Sequence, residues 1–143
     1  MAERTTDIVA EFLEALAERD VPRALAQVAD NVAVIVHGLE INDVGSDTLR
    51  GVLSDLVEAF PDLRVTVKKV VTTGNSVTAE IKVEGNQAAA YAGAINQEKH
   101  LDLDEAWHFR VTDGQISLVD AYWCQQQLYR RLGVKRFDQV SIV

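Results

Sequence analysis

Apolar residues in the amino-terminal half of the chain recur mostly with helical spacing. Residues 7–19 place them three or four positions apart, which predicts an amphipathic helix. A second helix is expected after Asp20, a capping residue that is followed by Pro22. Residues 31–37 alternate around valines and predict a strand. Residues 45–60 return to helical spacing and predict a third helix, which the next proline ends.

The second half of the chain has the alternating pattern of β-strands. The pattern covers residues 63–71, 77–83, 101–111 and 116–123. A three-residue loop at 73–75 is predicted to join the first two strands, with Val71 opposite Val77. The last apolar residues predict a short terminal helix. Helices followed by consecutive strands are typical of an α+β domain, with the helices packed on one face of a curved antiparallel sheet.

The last two strands form a hairpin whose register can be predicted. Asp113-Gly114 is a preferred pair for a two-residue type I′ turn, so Thr112 is expected to face Gln115. The pairs that follow are Val111–Ile116, Phe109–Leu118, Trp107–Asp120 and Glu105–Tyr122. Because alternate residues point to opposite faces, these eight side chains are predicted to share one largely apolar face.

Two carboxylates on this apolar face are the feature that suggests chemistry. Glu105 and Asp120 would be diagonal neighbours, close enough for their side chains to interact. Burial and a second carboxylate both raise a carboxyl pKa, so the pair could share a proton near neutral pH. Such a pair can act as a general base or acid. The structural alternative is that arginine, tyrosine or backbone donors satisfy both carboxylates.

Aromatic residues and a histidine are candidates for substrate contacts. Trp107, Tyr122 and Tyr91 can form flat walls for a cyclic apolar ligand, with Phe12 from the first helix. His37 ends an apolar strand and is expected at the mouth of the pocket. The alternative for each aromatic residue is packing in the core, and for His37 a structural role.

Composition excludes several classes of protein. The chain has 143 residues, which suits one domain of residues 1–143. Its net charge of −8 opposes nucleic-acid binding. One cysteine, Cys124, cannot form an internal disulfide, and no apolar run is long enough to cross a membrane. A cytoplasmic protein without membrane partners is expected.

Cofactor motifs are also missing from the sequence. Neither the dinucleotide-binding nor the Walker glycine pattern is present. One strand face presents alternating histidines and aspartates, namely His100, Asp102, Asp104 and His108. No second cluster completes a metal shell there. The expectation is an activity without metal or cofactor.

Several motifs, taken together, resemble a known family across nearly the whole chain. They are Gly45-Ser46-Asp47-Thr48-Leu49-Arg50, Ala59-Phe60-Pro61-Asp62-Leu63, Gly74-Asn75-Ser76-Val77, Phe109-Arg110-Val111, Asp113-Gly114-Gln115-Ile116 and Leu132-Gly133. Their order resembles the nuclear transport factor 2-like superfamily, and within it the SnoaL-like polyketide cyclases. Ketosteroid isomerases and limonene epoxide hydrolases are related members.

The resemblance implies a cone-shaped α+β barrel, with a curved sheet wrapped around three N-terminal helices and an internal pocket. It also implies a homodimer through the outer sheet face, and no cofactor. The family's cyclases close rings by aldol chemistry, with an acid on the last long strand. That acid aligns one position after Asp120, at Ala121. The family's Gly-Thr-His is replaced by Gly85-Asn86-Gln87, which removes a possible pocket histidine.

The expected function is therefore cofactor-independent cyclase or isomerase chemistry in secondary metabolism, on a cyclic and mostly apolar carbonyl substrate. Asp120 is predicted to be the acid or base, with Glu105 as its proton-sharing partner. Tyr122 or His37 would donate a hydrogen bond to a developing enolate. Two alternatives stay open at this point: an epoxide-opening enzyme, and a non-catalytic binding or assembly module of the same fold.

Overall fold

The computed structural model describes residues 2–135, with side chains from residue 4 onward. The predicted domain of residues 1–143 extends beyond this range, so Met1 and residues 136–143 lie outside the described residues. The elements, in chain order, are α1 (Ala2–Ala17), α2 (Val21–Leu25), β1 (Val28–Val36), a single 3-10 turn (His37–Leu39), β2 (Ile41–Val44), α3 (Ser46–Ala59), β3 (Arg64–Thr73), β4 (Ser76–Asn86), β5 (His100–Thr112), β6 (Gln115–Trp123) and α4 (Gln125–Arg131).

Six strands form one curved sheet, in the order β2-β1-β6-β5-β4-β3. The predicted α+β class and cone-like fold are confirmed. The sheet is mixed rather than antiparallel throughout, because β1 runs parallel to β6. It is also open, with β2 and β3 as its edges, and a fourth helix follows the last strand. The short, polar β2 was not predicted, because its residues lack an apolar alternation.

The core lies between the helices and the inner face of the sheet. Helical spacing turns one side of α1 inward, so that Phe12 and Leu16 are fully buried. In β4 and β5 every second residue is buried, as expected when one face packs against helices. Burying each large apolar side chain stabilises the fold by about 1.5–3 kcal/mol. This packing fixes which strand residues point into the cone.

The hairpin of β3 and β4 follows the prediction at one end only. Val67 lies opposite Ile81, and a bulge follows directly. Beyond the bulge Val71 pairs with Thr78, one position away from the predicted Val77. The extra residue in β3 cannot be recognised from the alternation alone, because valines and threonines occur on both faces there.

Candidate active site

A bulge in β6 decides which side chains enter the cone. Thr112 pairs with Gln115 as predicted, and so does the next pair, Val111 and Ile116. Ser117 is then left out of the pairing, and its hydroxyl donates to the carbonyl of Arg110 at 3.3 Å. Every later residue of β6 is therefore shifted by one position relative to β5.

The shift moves Asp120 to the outer face of the sheet. Asp120 lies opposite His108, and Ala121 takes the place opposite Trp107. The predicted pairs Trp107–Asp120 and Glu105–Tyr122 are therefore wrong, and Asp120 and Glu105 do not share a face. The bulge turns Val119 and Ala121 inward in place of Asp120 and Tyr122, which avoids burying a carboxylate and a phenol. Ala121, the position at which the resemblance places an acid, is fully buried.

Glu105 remains on the inner face, where its surroundings change its chemistry. Its side chain is buried, the only charged one so buried among the described residues. The indole N–H of Trp107 donates to its Oε1 at 2.8 Å. Burial raises the pKa of Glu105 to about 7, although the Trp107 hydrogen bond acts in the opposite direction. A carboxyl with this pKa can exchange a proton in either direction near neutral pH.

Tyr91, in the segment between β4 and β5, is close enough to this carboxyl for its charge to act on the phenol. A backbone bridge to Ala94 holds it, and its ring packs edge-on against Phe60 at 5.5 Å. Burial raises its pKa far above the ordinary value, and the charges of Glu105 and Asp55 add to that effect. The phenol is therefore a neutral hydrogen-bond donor at physiological pH.

A groove of about 1020 Å³ opens next to Tyr91. Its walls come from five regions, namely the turn after β1, the start of β2, α3, the segment before β5, and α4. The lining residues are His37, Gly38, Leu39, Glu40, Ile41, Asp55, Ala90, Tyr91, Ala92, Gly93, Gln125 and Tyr129. Glu105 does not line the groove. Tyr91 is the residue that connects the groove with the buried carboxyl.

Three predicted site residues meet at the rim of this groove, in a different cluster from the predicted one. His37 Nε2 lies 2.9 Å from Asp120 Oδ1, and the Tyr122 hydroxyl donates to Oδ2 at 3.0 Å. The His37 ring stacks on Tyr122 with centroids 4.3 Å apart. Hydrogen bonding to Asp120 raises the pKa of Tyr122. Asp120 is thus a partner of His37, and His37 is one of the residues that line the groove.

Two other predicted contact residues lie in the core. Phe12 is fully buried, with its ring centroid 6.3 Å from that of Trp107. Neither lines the groove. The rings of Phe12, Trp107 and Phe109 pack on one another between α1 and β5, away from the residues that line the groove.

The residue at the position of the family's pocket histidine organises the groove wall. Gln87 is buried, and its amide nitrogen donates to the carbonyls of Ala89 and Ile95, both at 3.2 Å. The backbone N–H of Gln97 donates to its Oε1 at 3.3 Å. These bonds fold the segment that carries Tyr91.

Sequence reasoning missed the acidic and carboxy-terminal parts of the groove. Asp55, Glu40, Gln125 and Tyr129 line it, but lie on segments that are far apart in the chain. The exposed position of Asp55 on α3 is visible from helical spacing. Its place in a groove is not, because that depends on how α3 and α4 meet.

Residues 2–135 contain neither the pattern of a metal-ligand cluster nor that of a membrane-spanning helix. No group of three metal-binding side chains occurs there, and Asp102 and Asp104 form ion pairs with Lys82 and Lys68. None of the described helices has both the length and the hydropathy of a membrane-spanning helix. Cys124 is free and exposed.

Solved structures show how widely this fold occurs. A protein from Jannaschia sp. CCS1, named as a candidate SnoaL-like polyketide cyclase, superposes with a TM-score of 0.85 at 16% identity, covering 94% of this chain and 95% of that chain. A candidate polyketide cyclase from Xanthomonas campestris pv. campestris gives 0.78 at 24% identity, with coverages of 92% and 98%. A protein with a ketosteroid isomerase-like fold from Catenulispora acidiphila DSM 44928 gives 0.75 at 17% identity, with coverages of 90% and 93%.

These likenesses establish the fold, while the family rests on the sequence. No curated protein matches the chain. The profile of the SnoaL-like domain matches residues 9–119, which is well over half of the chain. The match extends from α1 into the first half of β6, so it includes Glu105 and ends one residue before Asp120. The protein is a member of the SnoaL-like domain family.

Proposed function

We propose that this protein is a cofactor-independent enzyme that transfers protons on a cyclic, mostly apolar carbonyl compound, as in the ring closure or isomerisation of a polyketide-like substrate. Glu105 is the proposed acid/base, in place of Asp120. The observation that carries the proposal is a buried carboxyl with a pKa of about 7, beside a tyrosine that lines the groove. Two proteins of similar fold are named as candidate polyketide cyclases, and this supports a polyketide-like substrate.

The proposed step begins when the Glu105 carboxylate takes a proton from the carbon next to the substrate carbonyl. The electrons of that C–H bond move into the enolate, and the neutral Tyr91 hydroxyl donates a hydrogen bond to its oxygen. In an isomerisation, Glu105 returns the proton to another carbon. In a ring closure, the enolate carbon bonds to a second carbonyl carbon, and the proton passes to the new alkoxide.

Because Glu105 does not line the groove, the proposed step requires the Tyr91 segment to move when a substrate binds. The segment contains two positive φ angles, +52° at Ala92 and +83° at Gly93. The Tyr129 hydroxyl donates to the carbonyl of Ala92 at 2.7 Å and so ties the segment to α4. In this proposal the substrate displaces that contact when it binds.

His37 is proposed as a binding residue at the mouth, positioned by Asp120. The carboxylate fixes the ring through Nε2 at 2.9 Å, while Tyr122 covers one face of the ring. The role of Asp120 in this proposal is therefore orientation, because it lies on the outer face of the sheet.

Deuterium exchange tests the proposal directly. Wild-type protein is incubated in D₂O with enolisable cyclic ketones, and incorporation is followed by mass spectrometry. Glu105→Gln keeps an acceptor for Trp107 but cannot take a proton, so exchange should fall about 10²–10⁴-fold. Asp104→Asn is the matched control, since Asp104 is the neighbouring acid on the same strand but is exposed. Equal exchange by wild type and Glu105→Gln would refute the role of Glu105.

A non-catalytic binding module is the second candidate, and one observation favours it. The family's acid position holds Ala121, which is buried and has no proton to transfer. Tight binding of a ketone without exchange would support this function. The epoxide-opening alternative is less favoured, because no arginine lines the groove in the part of the chain that the structure describes. A homodimer through the outer sheet face stays a prediction.

A further inference from the structure

The groove has an uneven charge. Two carboxylates line it, Asp55 from α3 and Glu40 from the turn after β1, and no lysine or arginine among the described residues does so. Neither Asp55 nor Glu40 has an ion pair or a side-chain hydrogen bond within residues 2–135. Asp102 and Asp104 on the outer sheet face differ, because each is paired with a lysine. The groove therefore presents uncompensated negative charge to a ligand.

Tyr91 adds an independent sign that the groove receives a polar group. Its side chain is only 6% exposed, yet its hydroxyl makes no hydrogen bond to any described residue. No fully enclosed polar side-chain atom in the described part lacks a partner, so this hydroxyl keeps some accessible surface, on a residue that lines the groove. A mostly buried hydroxyl without a partner is costly, and a ligand group that bonds to it would remove that cost.

The rest of the wall suits the organic part of a cation. The rings of Tyr91 and Tyr129 offer aromatic surface, on which alkylammonium groups bind favourably. Leu39 and Ile41 supply apolar surface for a hydrocarbon body. An ammonium group has three N–H donors, and the groove offers carboxylate and phenol oxygens as acceptors. An anionic group would meet like charges, with no described lysine or arginine in the lining to pair with.

We propose that the groove binds a ligand that carries a protonated amine on an otherwise apolar ring, with the amine held by Asp55, Glu40 and the Tyr91 hydroxyl. This rests on the proposed function, because it names the substrate class for the same site. The substrate would then be an amino-substituted cyclic carbonyl compound, oriented by its amine at the mouth of the cone.

Three probes with one ring and different charge test the proposal. Cyclohexylamine, cyclohexanol and cyclohexanecarboxylate are titrated into the full chain by calorimetry at low salt. The ammonium probe should bind about tenfold more tightly than the alcohol, and the carboxylate more weakly than both. Added salt should reduce this difference, because the carboxylates of the groove are accessible to water.

Variants separate the groove from general attraction to an acidic protein. Asp55→Asn and Glu40→Gln should each weaken the ammonium probe by about three- to tenfold. Glu58→Gln removes an exposed charge from the same helix outside the groove and should leave the Kd unchanged. Tyr91→Phe should reduce the difference between amine and alcohol. Equal binding of the amine and the alcohol would overturn the proposal, and so would equal losses in Asp55→Asn and Glu58→Gln.

The two proposals fail in different ways. Glu105→Gln should lose deuterium exchange but keep its binding of the ammonium probe, since Glu105 does not line the groove. Selective amine binding without exchange by wild type would refute the enzyme and keep the amine site. Exchange of neutral ketones without any preference for the amine would refute the amine site and keep the enzyme.

Discussion

Replacing Glu105 with glutamine tests the physical reason given for its reactivity. The substitution preserves the size of the side chain and an oxygen that accepts from Trp107. It replaces the other carboxyl oxygen with an NH₂ group and so removes the ability to hold a charge. If burial raises the pKa of this carboxyl, the free energy of unfolding of the wild type must fall as the carboxyl ionises. Glu105→Gln has no carboxyl to ionise at this position and should not show that fall.

The magnitude follows from the two pKa values. The pKa of Glu105 rises from 4.5 to about 7 in the folded state. The folded protein therefore holds a proton that the unfolded chain has lost, and the free energy of unfolding falls as the pH rises through this window. A tenfold change in the proton equilibrium is worth about 1.4 kcal/mol, so the loss from about pH 4 to about pH 8 is about 3 kcal/mol.

Urea denaturation across this pH range measures the effect. The quantity of interest is the stability of Glu105→Gln minus that of wild type, because other titrating groups cancel in the difference. We expect this difference to grow by about 3 kcal/mol between about pH 4 and about pH 8. Glu58→Gln, which removes an exposed carboxyl, should give a nearly constant difference. A constant difference for Glu105→Gln would show that its carboxyl has an ordinary pKa.

Three further predictions concern the surroundings of the site. Asp120→Asn should lower the pKa of Tyr122, because the carboxylate that raises it is lost, and the phenolate absorbance in an alkaline titration measures this change. Gly38→Ala should destabilise the fold by about 1–3 kcal/mol, because a Cβ at this position would lie 2.5 Å from the ring of Trp123. Urea denaturation measures this loss, and unchanged stability would mean that the ring moves freely. Phe12→Ala should lower the free energy of unfolding by about 3–5 kcal/mol in the same assay, because it leaves a cavity in the aromatic core. A loss below about 1 kcal/mol would mean that the core collapses into that cavity.

Local periodicity was sufficient for most of the elements. The helical spacing of apolar residues predicted α1 and α3, and the proline after α3 marks its end. Alternation predicted β3 to β6, and the Asp113-Gly114 turn fixed the first pairs of the last hairpin. These features depend on residues only a few positions apart, so they can be read directly from the chain.

Parallel pairing of β1 with β6 could not be predicted in this way. The paired residues, such as Ile35 and Asp120, are far apart in sequence. The same holds for the groove, whose wall combines the turn after β1 with α3, the Tyr91 segment and α4. Nothing in the local pattern of any one segment indicates which distant segment it will meet.

The face of the sheet on which Asp120 lies could not be predicted from the local sequence pattern. Two-residue alternation assigns a side chain to a face only while no residue is inserted, and one bulge at Ser117 reverses every assignment after it. The choice depends on what each register would bury: Val119 and Ala121, or Asp120 and Tyr122. Packing against the helices makes the apolar pair the favourable one, because desolvating an unpaired carboxylate is costly. Local spacing in the sequence thus predicted the helices and strands and identified Glu105 and Asp120 as candidate acids. The tertiary structure determined that Glu105 is buried and that Asp120 lies on the outer face of the sheet.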